Sequence, residues 1–182
     1  MRELILGGQR SGKSARAEVL AAQWLGASST HRALFIATAT AWDEEMRERI
    51  ARHQRDRAQR VPGMVTVEEP LDLAGVLAKN NAANTLVVVD CLTLWLTNLL
   101  MPAGGDVGKS ESSTDALAPA ISTHTGPLIL VSNEIGLGVI PMGAEVRAFV
   151  DALGRLNQQV AAACDRVTLM AAGLPLTLKD TA

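Results

Sequence analysis

The run Gly7-Gly8-Gln9-Arg10-Ser11-Gly12-Lys13-Ser14 decides how the rest of this chain is read. It follows the apolar Leu4-Ile5-Leu6 and opens a stretch with helical spacing. Gly7, Gly12, Lys13 and Ser14 meet the pattern G-x-x-x-x-G-K-[ST], and each residue type has a physical task. The glycines let the backbone curl so that its N–H groups face phosphate oxygens. The helix starting near Lys13 turns its positive end toward the same anion. Lys13 reaches the β- and γ-phosphates, and Ser14 supplies an oxygen for Mg²⁺. A strand before and a helix after are the context this motif needs, so the stretch predicts a nucleotide-phosphate site.

The 182 residues suffice for one domain with a sizeable core, expected to span 1–182. Hydrophobic residues make up 48% of the chain, which excludes a disordered polymer. Net charge is −2, and no basic stripe stands out beyond residues 47–60. Aromatics are only 3%, with no tyrosine, so base-stacking platforms and a nucleic-acid partner are not expected. Cys91 and Cys164 sit in apolar contexts and read as buried, reduced thiols. With no signal-like segment and no apolar run long enough to span a bilayer, a cytoplasmic protein is expected.

Strands are expected at 2–7, 33–37, 65–68, 85–90, 128–132 and 166–171, with an edge strand at 174–179. Helices are expected at 13–25, 43–60, 71–79, 92–101, 114–123 and 145–164. In the third of these, Leu71, Ala74 and Leu77 mark the apolar side. Residues 102–113, rich in Gly and Ser, read as a flexible surface loop. Short β-branched runs alternating with helices predict an α/β fold with a mainly parallel sheet and helices on both faces. Ligands of such sheets lie beyond the carboxyl ends of the strands.

Residues at those ends therefore carry the chemistry. Asp90 follows four apolar residues, the pattern that places a carboxylate beside the Mg²⁺ held by Ser14, although a capping aspartate has the same signature. Asn133 and Glu134 follow the strand at 128–132 and read equally well as a turn or as substrate contacts. The segment 43–60 is too polar to gain much from packing. Arg49, His53 and Arg57 recur at four-residue spacing and share a face. Flanking arginines favour neutral imidazole, the form a nucleophile needs, and would also hold phosphates. On periodicity alone, a solvated helix with a surface histidine is the better reading. His31 and His124 read as surface residues.

Beyond these motifs the chain resembles one family, the bifunctional adenosylcobinamide kinase / adenosylcobinamide-phosphate guanylyltransferases of cobalamin biosynthesis. The resemblance is carried by 7–14 (GGQRSGKS), 36–38 (IAT), 43–53 (DEEMRERIARH), 67–70 (VEEP), 88–100 (VVDCLTLWLTNLL) and 131–141 (VSNEIGLGVIP). Asp151, Gly154, Asn157 and Gln158 within 147–163, and the close at 173–179, extend it over nearly the whole chain. It implies phosphorylation of adenosylcobinamide with ATP or GTP, then transfer of GMP from GTP to the new phosphate through a histidine phosphoramidate. The histidine of an Arg-Ile-x-x-His context is met by His53, which reverses the plainer reading above. Lys13 and His53 become the implied catalytic residues. Nucleotide contacts are implied at Gly7, Gly8, Gln9, Arg10, Ser11, Gly12, Lys13, Ser14, Ala37, Thr38, Ala39, Gln54, Arg55, Asp56, Arg57, Glu68 and Asp90, with Ser14 and Asp90 on Mg²⁺. The implied fold is a P-loop NTPase of RecA-like, three-layer form, assembled as a homotrimer. The chain departs from the family pattern at Gln54, where arginine is usual, and in its short 101–125 section. Two rival readings of the P-loop are a small-molecule kinase without guanylyl transfer and a nucleotide-regulated assembly module.

Overall fold

The computed structural model describes residues 1–41, 44–101 and 110–181, without the side chains of Met46, Arg49, Ser110 and Glu111. The chain alternates strand and helix from its first residues. It runs β1 (Arg2–Gly7), α1 (Lys13–Ala27), β2 (Arg32–Ala37), α2 (Glu44–Arg60), β3 (Met64–Glu68), α3 (Leu73–Lys79) and β4 (Thr85–Asp90). Then come α4 (Leu92–Leu100), α5 (Ser110–Ser122), β5 (Leu128–Val131), α6 (Ala144–Ala163), β6 (Arg166–Ala171) and β7 (Leu174–Asp180). The strands form one sheet in the order β3-β2-β4-β5-β1-β6-β7. All neighbours are parallel except β6 and β7, an antiparallel hairpin at one edge.

Period-two alternation explains the three layers. Leu4, Leu6, Val87, Val89, Leu128 and Leu130 face one side, where Leu73, Leu77, Trp95, Leu96, Leu117, Ile121, Leu153 and Leu156 of α3–α6 cover them. Ile5, Phe35, Leu86, Val88, Ile129 and Val131 face the other, against Ala17 and Ala21 of α1 and against Val61, just past α2. Both faces of β1, β4 and β5 are thus buried, which accounts for their near-continuous apolar runs. Among the described residues, no helix is long and apolar enough to cross a membrane.

Several expectations change in the structure. The loop expected at 102–113 lies outside the described residues over 102–109, while 110–113 belong to α5, which starts at Ser110. A Ser-rich stretch reads as a linker by composition but also suits a helix N-terminus. Helix α3 begins after Asp72, whose carboxylate accepts from the Gly75 N–H, so Leu71 precedes the helix and is exposed while Leu73 and Val76 are buried with Leu77. Cys91 and Cys164 are buried free thiols, pushed up by burial to about 11 and about 12.

His31 is half-buried rather than a surface residue. Its ring stacks on Trp24 at 3.6 Å, and its Nδ1 lies 2.7 Å from the Trp24 carbonyl oxygen. His124 departs further from expectation, being 6% exposed with neither ring nitrogen in a hydrogen bond. Burial lowers its pKa, the Leu77 backbone opposes this, and the chain's N-terminal charge adds to the lowering. A depressed histidine pKa means the unfolded chain binds a proton that the folded chain refuses. The contribution of His124 is therefore complete above its ordinary pKa of about 6.5 and is lost as pH falls toward the depressed value. Unfolding free energies from urea titrations at pH 7.5 and 5.5 are expected to fall by up to about 1.4 kcal/mol per pH unit in this window. His124→Leu should flatten that slope; an unchanged slope would remove His124 as its source.

Candidate functional site

The loop from Gly7 to Ser14 sits at the carboxyl end of β1, near the middle of the sheet. Gly7 has φ +148°, and a Cβ there would lie 2.5 Å from the Met170 carbonyl oxygen and 2.6 Å from Ser11 Oγ. Gly12 has φ +101°, and its Cβ would meet Gly173 Cα at 3.2 Å. Only glycine fits both the conformation and the space at these two positions. Gly8, Gln9 and Arg10 are exposed on the outer curve of the loop, and Ser11 is buried beneath it. Arg10 adopts φ 57°, a left-handed conformation that helps turn the chain into α1.

Lys13 and Ser14 are the first residues of α1. Lys13 is buried, and its Nζ donates to the Gly8 carbonyl oxygen at 2.6 Å, so the ammonium lies across the loop. Burial lowers its pKa, with Asp90 pulling the other way. Ser14 Oγ donates to Asp90 Oδ2 at 2.6 Å, across the strand that separates β1 from β4. The two sequence motifs, 76 residues apart, thus meet at one point. Burial raises the Asp90 pKa; the Ser14 hydrogen bond and the charges of Lys13, Arg57 and His53 hold it back. Ser14 and Asp90 present hard oxygen donors side by side, a donor set that fits Mg²⁺.

The end of β2 closes one flank. Ala37 and Ala39 are half-buried around the fully buried Thr38. Thr38 Oγ1 donates to the Cys91 carbonyl oxygen at 2.8 Å and accepts from the Cys91 N–H at 2.9 Å, pinning the end of β2 to the end of β4 across the cis Asp90–Cys91 peptide. Asn98 of α4 adds a brace by donating to the Thr38 carbonyl oxygen at 2.8 Å. The role of Asn98 was not anticipated, yet one amide inside the apolar run 92–100 is the kind of signal that marks a buried polar tie.

Helix α2 does not behave as one polar face. Arg57 is buried, with its guanidinium carbon 3.5 Å from the centre of the Phe35 ring. This cation–π contact lets a charged residue serve as a packing residue. Burial lowers its pKa, and Asp90 and Glu18 counter that effect. One turn earlier His53 is exposed, as is Arg55, while Asp56 is half-buried. The Arg49 member of the expected face lies outside the described side chains. Gln54 Nε2 donates to Glu68 Oε1 at 3.0 Å, joining α2 to the end of β3. Arg60 pairs with Glu18 of α1 at 2.8 Å.

On the opposite flank, the Glu134 N–H donates to the Gly7 carbonyl oxygen at 3.2 Å. Asn133 is held through its backbone, its N–H to Thr93 Oγ1 at 2.9 Å and its carbonyl to Asn157 Nδ2 at 3.1 Å. Asn157 also accepts from Ser132 Oγ at 2.7 Å. The polar pair 133–134 is therefore anchored to the nucleotide loop and to α6, and Asn157 emerges as its support.

A family model described as cobinamide kinase / cobinamide phosphate guanyltransferase matches residues 3–178. A "bifunctional adenosylcobalamin biosynthesis protein CobP" of Pseudomonas aeruginosa is 49% identical over 179 residues, covering 98% of each chain. Proteins named CobU with the same bifunctional description, from Escherichia coli and Salmonella typhimurium, are 36% and 33% identical over 97% of this chain and 98% of theirs. Among solved structures, a protein of Pyrococcus horikoshii OT3 superposes with a TM-score of 0.53 at 11% identity, covering 100% of this chain and 87% of its own. The flagellar accessory protein FlaH of Methanocaldococcus jannaschii does so with a TM-score of 0.52 at 10% identity, covering 98% of this chain and 77% of its own. At such identities these structures speak for the fold alone, an α/β fold with a mainly parallel sheet.

Proposed function

We propose that this chain, which belongs to the cobinamide kinase / cobinamide phosphate guanyltransferase family, carries out both reactions of that name at the 7–14 loop. It is an enzyme of cobalamin biosynthesis. It phosphorylates adenosylcobinamide, then transfers GMP from GTP to the product, giving adenosylcobinamide-GDP and pyrophosphate. The observation that carries this reading is the meeting of Lys13, Ser14 and Asp90 at one strand-end site, with Ser14 Oγ 2.6 Å from Asp90 Oδ2.

In the kinase reaction, ATP or GTP lies with its phosphates along the loop N–H groups of residues 7–14. Lys13 leaves the Gly8 carbonyl for the transferring phosphoryl group. The acceptor hydroxyl attacks in line, and catalysis is mainly positioning and charge stabilisation. Ser14 and Asp90 would hold Mg²⁺, which supplies charge neutralisation at the phosphates.

In the second reaction His53 is the nucleophile. Its ring nitrogen attacks the α-phosphorus of GTP, the bond to the bridging oxygen breaks, and pyrophosphate departs. An oxygen of the cobinamide phosphate then attacks the same phosphorus, the P–N bond breaks, and His53 returns to its free form. The exposure of His53 leaves it accessible to a nucleotide, and it stands one turn before Arg57, whose guanidinium packs on Phe35 of β2. Arg55, Asp56, Arg57, Glu68, Gln54 and the residues Ala37, Thr38 and Ala39 complete the nucleotide surroundings. The reading includes a single domain over 1–182 and a cytoplasmic setting, and a homotrimer as the family resemblance implies.

Incubation with α-labelled GTP tests it directly. The protein should acquire acid-labile, base-stable label, and added adenosylcobinamide phosphate should remove that label into a corrinoid product. Phosphorylation without any protein label would instead favour a kinase lacking the guanylyl step.

A further inference from the structure

A cavity of about 570 Å³ lies between the segment 135–141 and one face of α6. Its walls include Gly136, Gly138 and Ile140 from the segment, and Gly154, Arg155 and Gln158 from the helix. Of these glycines, Gly154 is unexplained by the chain's own needs. Gly154 sits in the middle of a 20-residue helix, where glycine costs about 1 kcal/mol relative to alanine. A Cβ at Gly154 would meet nothing within 4 Å, and none of Gly136, Gly138 and Gly154 has positive φ. Neither backbone conformation nor internal packing calls for glycine at Gly154; what remains is close approach by something outside the chain.

The same segment exposes a second anomaly. Leu137, Val139, Ile140 and Met142 are 79, 96, 78 and 98% exposed. A contiguous apolar patch of this kind beside a groove marks a binding surface. Charged and amide side chains stand among these groups, with Asp151, Arg155 and Gln158 all exposed at the cavity. The segment's position is fixed. Glu134 is tied to Gly7 of the nucleotide loop, Asn133 to α6 through Asn157, and Arg147 donates to the carbonyls of Pro141 and Met142.

We infer that this groove docks the acceptor, with the corrin ring against Gly136, Gly138, Gly154 and the apolar side chains and its carboxamide rim against Asp151, Arg155 and Gln158. The assignment rests on the function proposed above. A corrinoid is a rigid macrocycle with methyl-bearing faces and a ring of carboxamides that both donate and accept, so it needs side-chain-free walls and hydrogen-bonding side chains of both kinds in one place. The groove has both, and its anchoring at Gly7 aims the arm that bears the reacting hydroxyl at the phosphates.

The test uses Gly154→Leu, which fills the groove without an internal clash, and Val139→Asp, which changes a nearly fully exposed side chain and leaves the fold intact. Both should raise KM for adenosylcobinamide at least ten-fold. Both should also weaken binding of the coloured corrinoid in equilibrium dialysis without nucleotide. KM for GTP and labelling by α-labelled GTP should stay at wild-type values. Wild-type corrinoid KM in both variants would overturn the groove assignment while leaving the function standing. A wild-type protein that takes label from GTP but neither binds nor phosphorylates the corrinoid would overturn the function and the groove with it. Altered sedimentation of the variants together with lost labelling would identify the face as an interface between copies and overturn the assignment.

Discussion

His53→Ala is expected to abolish protein labelling by α-labelled GTP and to lower guanylyl transfer by at least about 10³-fold, the order expected when a covalent nucleophile is lost. Phosphorylation of adenosylcobinamide should change by less than about three-fold, because that displacement needs no covalent step on the protein. The structure gives this split a physical basis. His53 is exposed and half a helix from its anchored end, while the loop, Lys13, Ser14 and Asp90 form a separate unit bonded among themselves. Removing an exposed imidazole also leaves no cavity, so the fold should keep its melting temperature within about a degree or two. Label that survives in the variant would disqualify His53 as the nucleophile. Loss of both reactions at once would mean that α2 also shapes the kinase site.

Lys13→Ala should show the contrary pattern, with both reactions falling by about 10²- to 10³-fold, the order lost when one preorganised electrostatic donor is removed. One ammonium lies across the loop proposed to serve both reactions, so a loss confined to one would argue for two nucleotide sites. Lys13→Arg should rescue poorly. The planar guanidinium cannot replace a compact ammonium in a buried position held against the Gly8 carbonyl. The pair of variants separates the shared platform from the group that distinguishes the two chemistries.

What could be read directly from the residues was local. The glycine pattern at 7–14, the short apolar runs of β1 and β4, and the acid after four apolar residues depend only on neighbours in the chain, and the structure brings the loop and the acid together. Features created by packing were hidden. His124 looks like an ordinary polar residue after a helix, and only the contact of α3 with α5 encloses it. By spacing Arg57 belongs to a solvated stripe, yet the approach of α2 to Phe35 takes it inside. Glu3 sits in a strand expected to be buried, but nothing near it in sequence announces its partners. Its fully buried carboxylate accepts from Arg16, at 2.9 and 3.1 Å, and from Thr168 at 2.8 Å, residues 13 and 165 positions away. Glycine in α6 was visible as a letter, but its meaning depends on the empty space beside it.

The two helical layers differ in how they are fastened, and this sets a hierarchy of local opening. α3–α6 are embedded through large apolar side chains such as Trp95, Leu96, Ile121 and Leu156. α2 is held largely by Arg57 on Phe35, Arg60 with Glu18 and Gln54 with Glu68. Amide hydrogens of β1, β4 and β5 should therefore exchange only with global unfolding, whereas those of α2 should exchange through small openings that cost far less. The segment bearing His53, the proposed nucleophile, would then be the least cooperative helix among the described residues, able to fray and re-form while the sheet beneath the 7–14 loop stays intact.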